Sequence, residues 1–370
     1  MAIYKIFPEK DATLYSQYSG SNTGLDEILE ISTIVDDQTV YASRPVLKFS
    51  QTEITDIISN KIAGTAWQAN LRLFLAYASN IPLDYTIYAY PISGSWDMGT
   101  GHYLDSPIND SGVSWVNRLS AGTSPWTSAS FATYVTASFP LNQTGGGTWY
   151  TGSATLNPVT SQSFNYITSK DIDLNVTNAV HLFVSGTINN NGFILKKEDS
   201  LEFSTGSAFE LKYFSVDTHT IYPPCLEFKW NDFATVLTGS LTASIVSTSD
   251  FKLTLPNNSG YFNNGSVAKI RVNVRPKYPT RTFQTASIYT TNYFLPTASY
   301  YAIKDLDTNE YVVDFDTTYT KISADSTSNY FTIYMNGLEP ERYYKFLIKT
   351  VIDRQTVVSD DSYYFKVING

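Results

Sequence analysis

The feature that most constrains this chain is the length and period of its apolar runs, which are short, alternate with polar residues and end at Gly, Pro, Asn or Ser clusters. Ala69 to Ile92 shows it best. Leu71, Leu73, Leu75 and Tyr77 fall on one side of an extended chain, with Arg72, Phe74 and Ala76 on the other. After Ala78–Leu83 the pattern returns, Tyr85, Ile87 and Ala89 against Thr86, Tyr88 and Tyr90. A period of two over such lengths predicts two inner strands of a β-sandwich.

The same texture fills the rest of the chain. Aromatics make up 15% of the residues, with 28 Tyr, and charged residues only 16%, which favours strands over helices. One segment, Gln51 to Ile62, carries Ile54, Ile57, Ile58 and Ile62 at helical spacing and predicts a short helix. At 370 residues two domains are expected. The polar break Asn231-Asp232 suggests the boundary, giving domains 1–232 and 236–370.

Charge and cysteine content exclude several classes. The net charge of -9 is spread without a Lys/Arg cluster, so no nucleic-acid partner is expected. No stretch approaches the ~20 apolar residues of a membrane span, and Met1 to Pro8 does not read as a signal, so no membrane partner is expected either. Cys225 is the only cysteine; at an apparent strand start it reads as an inert buried thiol.

No catalytic, cofactor-binding or metal-binding residue is assigned. His102, His181 and His219 lack metal-type spacing; His181, in the apolar run Ala179 to Val184, reads as a packed residue. Asp97 and Asp105 flank His102 in a loop, where an acid-base or metal site competes with ordinary loop polarity. Asp36-Asp37 and Asp360-Asp361 are adjacent on extended chain and point to opposite faces, so neither is a facing hydrolytic pair. A non-enzyme is expected.

Aromatic rings are the remaining chemistry. Trp96 and Trp115 read as core. Trp126, Trp149 and Tyr150 lie among Ser, Thr and Gly in the stretch Leu119 to Pro158, and are expected to form an exposed interface outside the core.

Several segments carry a family likeness in collinear order: Asp11-Ala12-Thr13, Asn22-Thr23-Gly24, Ser43-Arg44 leading into Leu47-Lys48-Phe49, Ala69-Asn70-Leu71-Arg72-Leu73, Tyr88-Ala89-Tyr90, Trp96, and Val113-Ser114-Trp115 with Asn117. Leu174 to Val180, Asn190 to Leu195, Phe203-Ser204 and Pro224 to Phe228 continue it. Over about residues 3 to 230 the chain resembles the DNRLRE type of carbohydrate-binding-module-like jelly roll. Downstream, about seven short alternating strands predict an immunoglobulin-like or fibronectin-III-like sandwich. Gly337 to Phe346 resembles the fibronectin-III segment in which a leucine and a tyrosine pin a corner.

The expected fold is therefore all-β, a jelly-roll β-sandwich followed by an immunoglobulin/fibronectin-III-like β-sandwich. A nearly cysteine-free, Tyr/Ser/Thr/Asn-rich pair of sandwiches looks like a virion structural protein of a tailed bacteriophage, assembled in the host cytoplasm. That resemblance implies other virion proteins as partners, in a homo-oligomeric or multi-copy symmetric assembly. The alternative is an adhesion module whose partner is a host surface glycan.

Overall fold

The computed structural model describes residues 2–62, 64–120, 124–126, 134–136, 145–152, 156–206, 208–235, 243–278 and 292–370. The protein is all-β and sandwich-like, with curled antiparallel sheets. Its contacts divide it into two units: one holds Ile6–Gly64 and Gln68–Glu227, the other Met1–Lys5, Thr65–Trp67 and Phe228–Gly370. The N-terminal five residues thus belong with the C-terminal unit, a placement that the sequence boundary of 1–232 does not contain.

The strands begin with β1 (Ala2–Ile6), β2 (Lys10–Tyr15), β3 (Ile28–Asp36), β4 (Thr39–Lys48), β5 (Trp67–Leu73), β6 (Leu75–Ser79) and β7 (Asp84–Pro91). Next come β8 (Tyr134–Thr136), β9 (Thr148–Tyr150), β10 (Thr160–Asn165), β11 (Ile172–Asn175), β12 (Phe193–Lys197), β13 (Phe209–Phe214) and β14 (Cys225–Trp230). In the N-terminal unit a large sheet runs β10-β7-β12-β4-β3-β13-β6, with β2 also paired to β4. Strand β11 pairs antiparallel with β5, setting Leu174 opposite Leu71 in a second sheet.

The organising strands behave as inner strands, β7 between β10 and β12 and β5 between β14 and β11. Leu71, Leu73, Tyr85, Ile87 and Ala89 are buried. The inward stripe does not continue through Leu75 and Tyr77. Between β5 and β6 the chain leaves one sheet for the edge of the other at Phe74, and Tyr77 ends exposed. A change of sheet resets which side chains face the core.

The predicted helix is α1 (Gln51–Asp56), capped by the Ser50 hydroxyl, which accepts from the Glu53 amide, and it continues as a π-helical turn over Ile57–Lys61. Ile54, Ile57 and Ile62 are buried beneath it. A second helix, α2 (Thr177–Val184), occupies what reads in sequence as an apolar run. It buries Ala179, Val180 and Phe183 and turns His181 outward. The packed role expected for His181 is therefore corrected: the helical period puts Ala179, Val180 and Phe183 inward and leaves His181 exposed.

The C-terminal unit contains β15 (Ala243–Ile245), β16 (Phe251–Thr254), β17 (Tyr261–Asn263), β18 (Val267–Pro276), β19 (Asn292–Phe294), β20 (Ser299–Asp305), β21 (Tyr311–Val313), β22 (Ser323–Ala324), β23 (Asn329–Tyr334), β24 (Tyr343–Ile352) and β25 (Gln355–Ile368). They form sheets β16-β18-β23-β22 and β17-β25-β24-β20-β21, with β15 paired to β19. Ile270, Val272, Phe331, Ile333, Phe346, Ile348, Phe365 and Val367 make one apolar core. The predicted corner is present: Leu338 is buried, and the buried Tyr344 hydroxyl donates to Glu339 O at 2.9 Å. In this unit Asn336 Nδ2 donates to Lys5 O at 2.6 Å and Lys5 Nζ to Val312 O at 3.1 Å, tying in the N-terminal strand.

Candidate functional site

The residues that carry the family likeness are used inside the N-terminal unit. Asn22, buried, donates through Nδ2 to Met98 O (2.6 Å) and Val113 O (2.8 Å), while its Oδ1 accepts from Gly101 N (2.8 Å). One side chain thereby fastens three loop strands. Arg44, on β4, makes a bidentate pair with Glu202, Nε to Oε1 at 2.6 Å and Nη2 to Oε2 at 2.7 Å. Lys196 reaches the same carboxylate at 2.8 Å. Two cations on one carboxylate, with aromatic faces above them, satisfy charges that burial alone would expel.

One of those faces, Trp149, belongs to the residues expected at an exposed interface. Trp126, Trp149 and Tyr150 are buried, with only 6%, 2% and 8% of their surface exposed. The Arg44 guanidinium lies 4.6 Å from the Trp115 ring and 5.4 Å from that of Trp149, and Lys196 Nζ lies 5.2 Å from Trp149. Trp126 Nε1 donates to Ser114 O at 2.9 Å. An exposed interface built from these three rings is therefore corrected: all three are buried, and Trp149 packs on the buried cations.

The physical cause is Gly145-Gly146-Gly147, all at positive φ (119°, 76° and 102°), which turns the chain inward before β9. Gly146 O accepts from Arg44 Nη1 at 2.7 Å, and a Cβ there would meet that nitrogen at 2.6 Å. The composition that reads as a loose loop is what a close backbone approach requires. Within Leu119 to Pro158, residues 121–123, 127–133, 137–144 and 153–155 lie outside the described residues.

The loop of His102 does not assemble the acid-base set considered from sequence. Asp97 pairs with Lys10 at 3.3 Å, and Asp105 Oδ2 accepts the His102 main-chain N–H at 2.9 Å. The His102 ring faces a different carboxylate, with Nδ1 3.7 Å from Asp26 Oδ1. Among the described residues no group of three His, Cys, Asp or Glu side chains is placed to hold a metal ion.

That contact opens onto a cleft of about 370 Å³ lined by Tyr15, Asp26, Glu27, Ile28, Glu30, His102, Tyr103 and Lys212. The Tyr15 and Tyr103 rings pack 4.7 Å apart at 43°, and Tyr18 meets Tyr103 edge-on at 5.5 Å. Asp26 Oδ1 accepts from Tyr103 N at 2.8 Å, fixing the loop. Glu30 Oε1 accepts from Ser32 Oγ (2.7 Å) and Ser43 Oγ (3.1 Å), while Lys212 stands 3.9 Å from its Oε2 and 2.6 Å from Glu210.

Burial weakens the acids around this cleft. Desolvation pushes the Asp26 and Glu30 carboxyls above their usual range, and the Tyr103 phenol up to about 12. Asp217 is also raised, chiefly by burial, with His102, His219 and Glu27 as charged neighbours, and its Oδ2 is buried without a hydrogen-bond partner among the described residues. Beyond it Asp11 rises to about 7, burial outweighing the Val216 N–H that it accepts at 2.8 Å. Sequence reading reaches only His102 of this lining: it comes from four separated stretches with no motif spacing, and only the geometry of β2, β3 and β13 unites them.

No family model and no curated protein matches the chain. Among solved structures it is similar to a DUF4785 family protein of Legionella pneumophila, at 8% identity and a TM-score of 0.18, covering 98% of this chain and 66% of that one. A second, at 9% identity and a TM-score of 0.16, is the beta-glucuronidase of Parabacteroides merdae, covering 98% of this chain and 35% of that one. The chain thus spans less than two thirds of the length of either, and at these scores neither likeness carries an argument about this chain.

Proposed function

We propose that this chain is a non-enzymatic structural protein that works by docking, a multi-copy component of a tailed-bacteriophage virion. The observation that carries the reading is a braced apolar tip at one end of the N-terminal unit. Leu83, Tyr166 and Ile167 stand 76%, 69% and 92% exposed where β7 and β10 meet. Tyr166 N donates to Leu83 O at 2.9 Å, and Asn165 Oδ1 accepts from the amides of Ile167 (3.0 Å) and Thr168 (2.9 Å). A large apolar surface held on a hydrogen-bonded turn loses little entropy on docking and gains the area it buries. The partner is another protein of the particle.

The test is Ile167→Asp, made in the full chain. Incorporation into purified particles, measured by mass spectrometry, should fall by about tenfold, equivalent to ~1.4 kcal/mol, while the thermal unfolding of the free chain stays within ~1 °C. A chain that is absent from particles in its wild-type form overturns the reading, and equal incorporation of the variant removes this tip from the docking surface.

A further inference from the structure

We infer that the cleft between Tyr15 and Tyr103 binds an alkylammonium or guanidinium cation. The size of the cleft, about 370 Å³, falls at the small end of ligand pockets. Its walls supply what such a cation needs. Tyr103 and Tyr15 give aromatic surface, to which a cation within ~6 Å is attracted by the ring quadrupole. Ile28 gives an apolar contact for an alkyl stem. Asp26, Glu27 and Glu30 give three carboxylates, and the lysine facing them, Lys212, is held by Glu210 at 2.6 Å.

The balance of charge selects the ligand. Three carboxylates face one committed ammonium and the imidazole of His102. An anion would meet a like-signed wall. A divalent ion would need three or more clustered ligands, which the described residues do not offer. A neutral sugar would leave the carboxylates of this wall without a counter-charge. A monovalent organic cation fits, because it stabilises carboxylates that burial has deprived of water and its stem occupies the apolar part. The inference stands apart from the assembly reading, since it concerns binding of a small cation by the free chain.

Titration calorimetry of the full chain tests it, with Nα-acetyl-arginine amide, butylamine, spermidine, the neutral Nα-acetyl-citrulline amide and a neutral xylooligosaccharide. The arginine amide and butylamine should bind in the millimolar range, at least about tenfold more tightly than the citrulline analogue. Glu27→Gln, at an exposed side chain, should weaken the arginine amide by about threefold or more, and Asp26→Asn by more, with unchanged far-UV circular dichroism. Tighter binding of spermidine than of arginine amide would point to a free polyamine as the source, and the reverse to a basic side chain of a protein; either upholds a cation site. Equal binding of citrulline amide, preferential binding of the xylooligosaccharide, no binding of any cation, or a Glu27→Gln chain that binds as wild type would each overturn it.

Discussion

The two units build their interiors from different materials. In the N-terminal unit Asp11, Glu30, Arg44, Lys196, Lys197 and Glu202 are all buried among apolar side chains. In the C-terminal unit rings stack on rings, Tyr301 on Phe331 at 4.4 Å and Phe346 on Phe365 at 4.3 Å. Its buried carboxylate Asp305 takes its bidentate partner, Arg342, from the partly exposed surface, with both bonds at 2.8 Å. Stacked apolar cores gain free energy from area alone and respond little to pH. A core with internal charges depends on each charge keeping its partner, so single substitutions and protonation states should matter far more in the N-terminal unit.

The sharpest way to break that contrast is Arg44→Met. Removing the guanidinium leaves Glu202 buried with half its compensation, and the Trp115 and Trp149 faces lose their cation. The cost should be about 3 to 5 kcal/mol in urea unfolding of the full chain. Tryptophan fluorescence reports mainly on the right unit, since four of the six tryptophans, Trp96, Trp115, Trp126 and Trp149, belong to it, while Trp67 and Trp230 fall in the other. The double variant Arg44→Met with Glu202→Leu should recover part of the loss, because two apolar residues leave fewer charges to satisfy. A single variant costing under ~1 kcal/mol would mean that the charged centre is not what organises this core.

The next effect is a pH dependence. Burial raises Asp11 from its ordinary 3.8 to about 7, so between those values the folded chain holds a proton that the unfolded chain has lost. Stability is then fully present below about pH 4 and is lost as pH rises through about 7, by about 2 to 4 kcal/mol for this group. Asp11→Asn, which can still accept the Val216 amide, should remove that slope. Unfolding measured from pH 4 to 8 should show the two chains converging in acid and the variant more stable at pH 8. Parallel curves would show that Asp11 does not take up its proton on folding.

What the sequence discloses and what it hides follow the same division. Alternation predicts Leu71, Leu73, Ile87 and Ala89 as inward, because one strand in one sheet keeps its faces. It misplaces Tyr77, since no local pattern announces that the chain changes sheets at Phe74. It reads His181 as packed because eight residues are too short to display a helical period beside strand-like neighbours. The collinear Asp11, Asn22 and Arg44 are visible as a motif, yet their roles as buried ties depend on Glu202 and Gly146, distant in sequence. Trp149 and Tyr150 are misread for a related reason. Glycines beside an aromatic look like a loose loop until the positive φ values show a backbone pressed against a guanidinium. The cleft is invisible in sequence because its lining residues obey no spacing.

The smallest expected effect sharpens the comparison from the other side. Tyr344 is buried in the C-terminal unit with its ring stacked on Phe365 at 5.5 Å, and its hydroxyl closes the corner on Glu339 O. Tyr344→Phe keeps the ring, the stacking and nearly all of the buried area, and removes one neutral hydrogen bond. Such a bond contributes about 0.5 to 1.5 kcal/mol net, because the unfolded chain bonds water instead. If the C-terminal core rests on ring packing, the variant should lose no more than that, with the same slope against denaturant and no new dependence on pH, and Tyr344→Ala should lose about 3 to 5 kcal/mol. A loss above ~2 kcal/mol for the phenylalanine variant would place a polar tie at the centre of this unit too, and the two interiors would then differ in the charge of their ties rather than in their reliance on them.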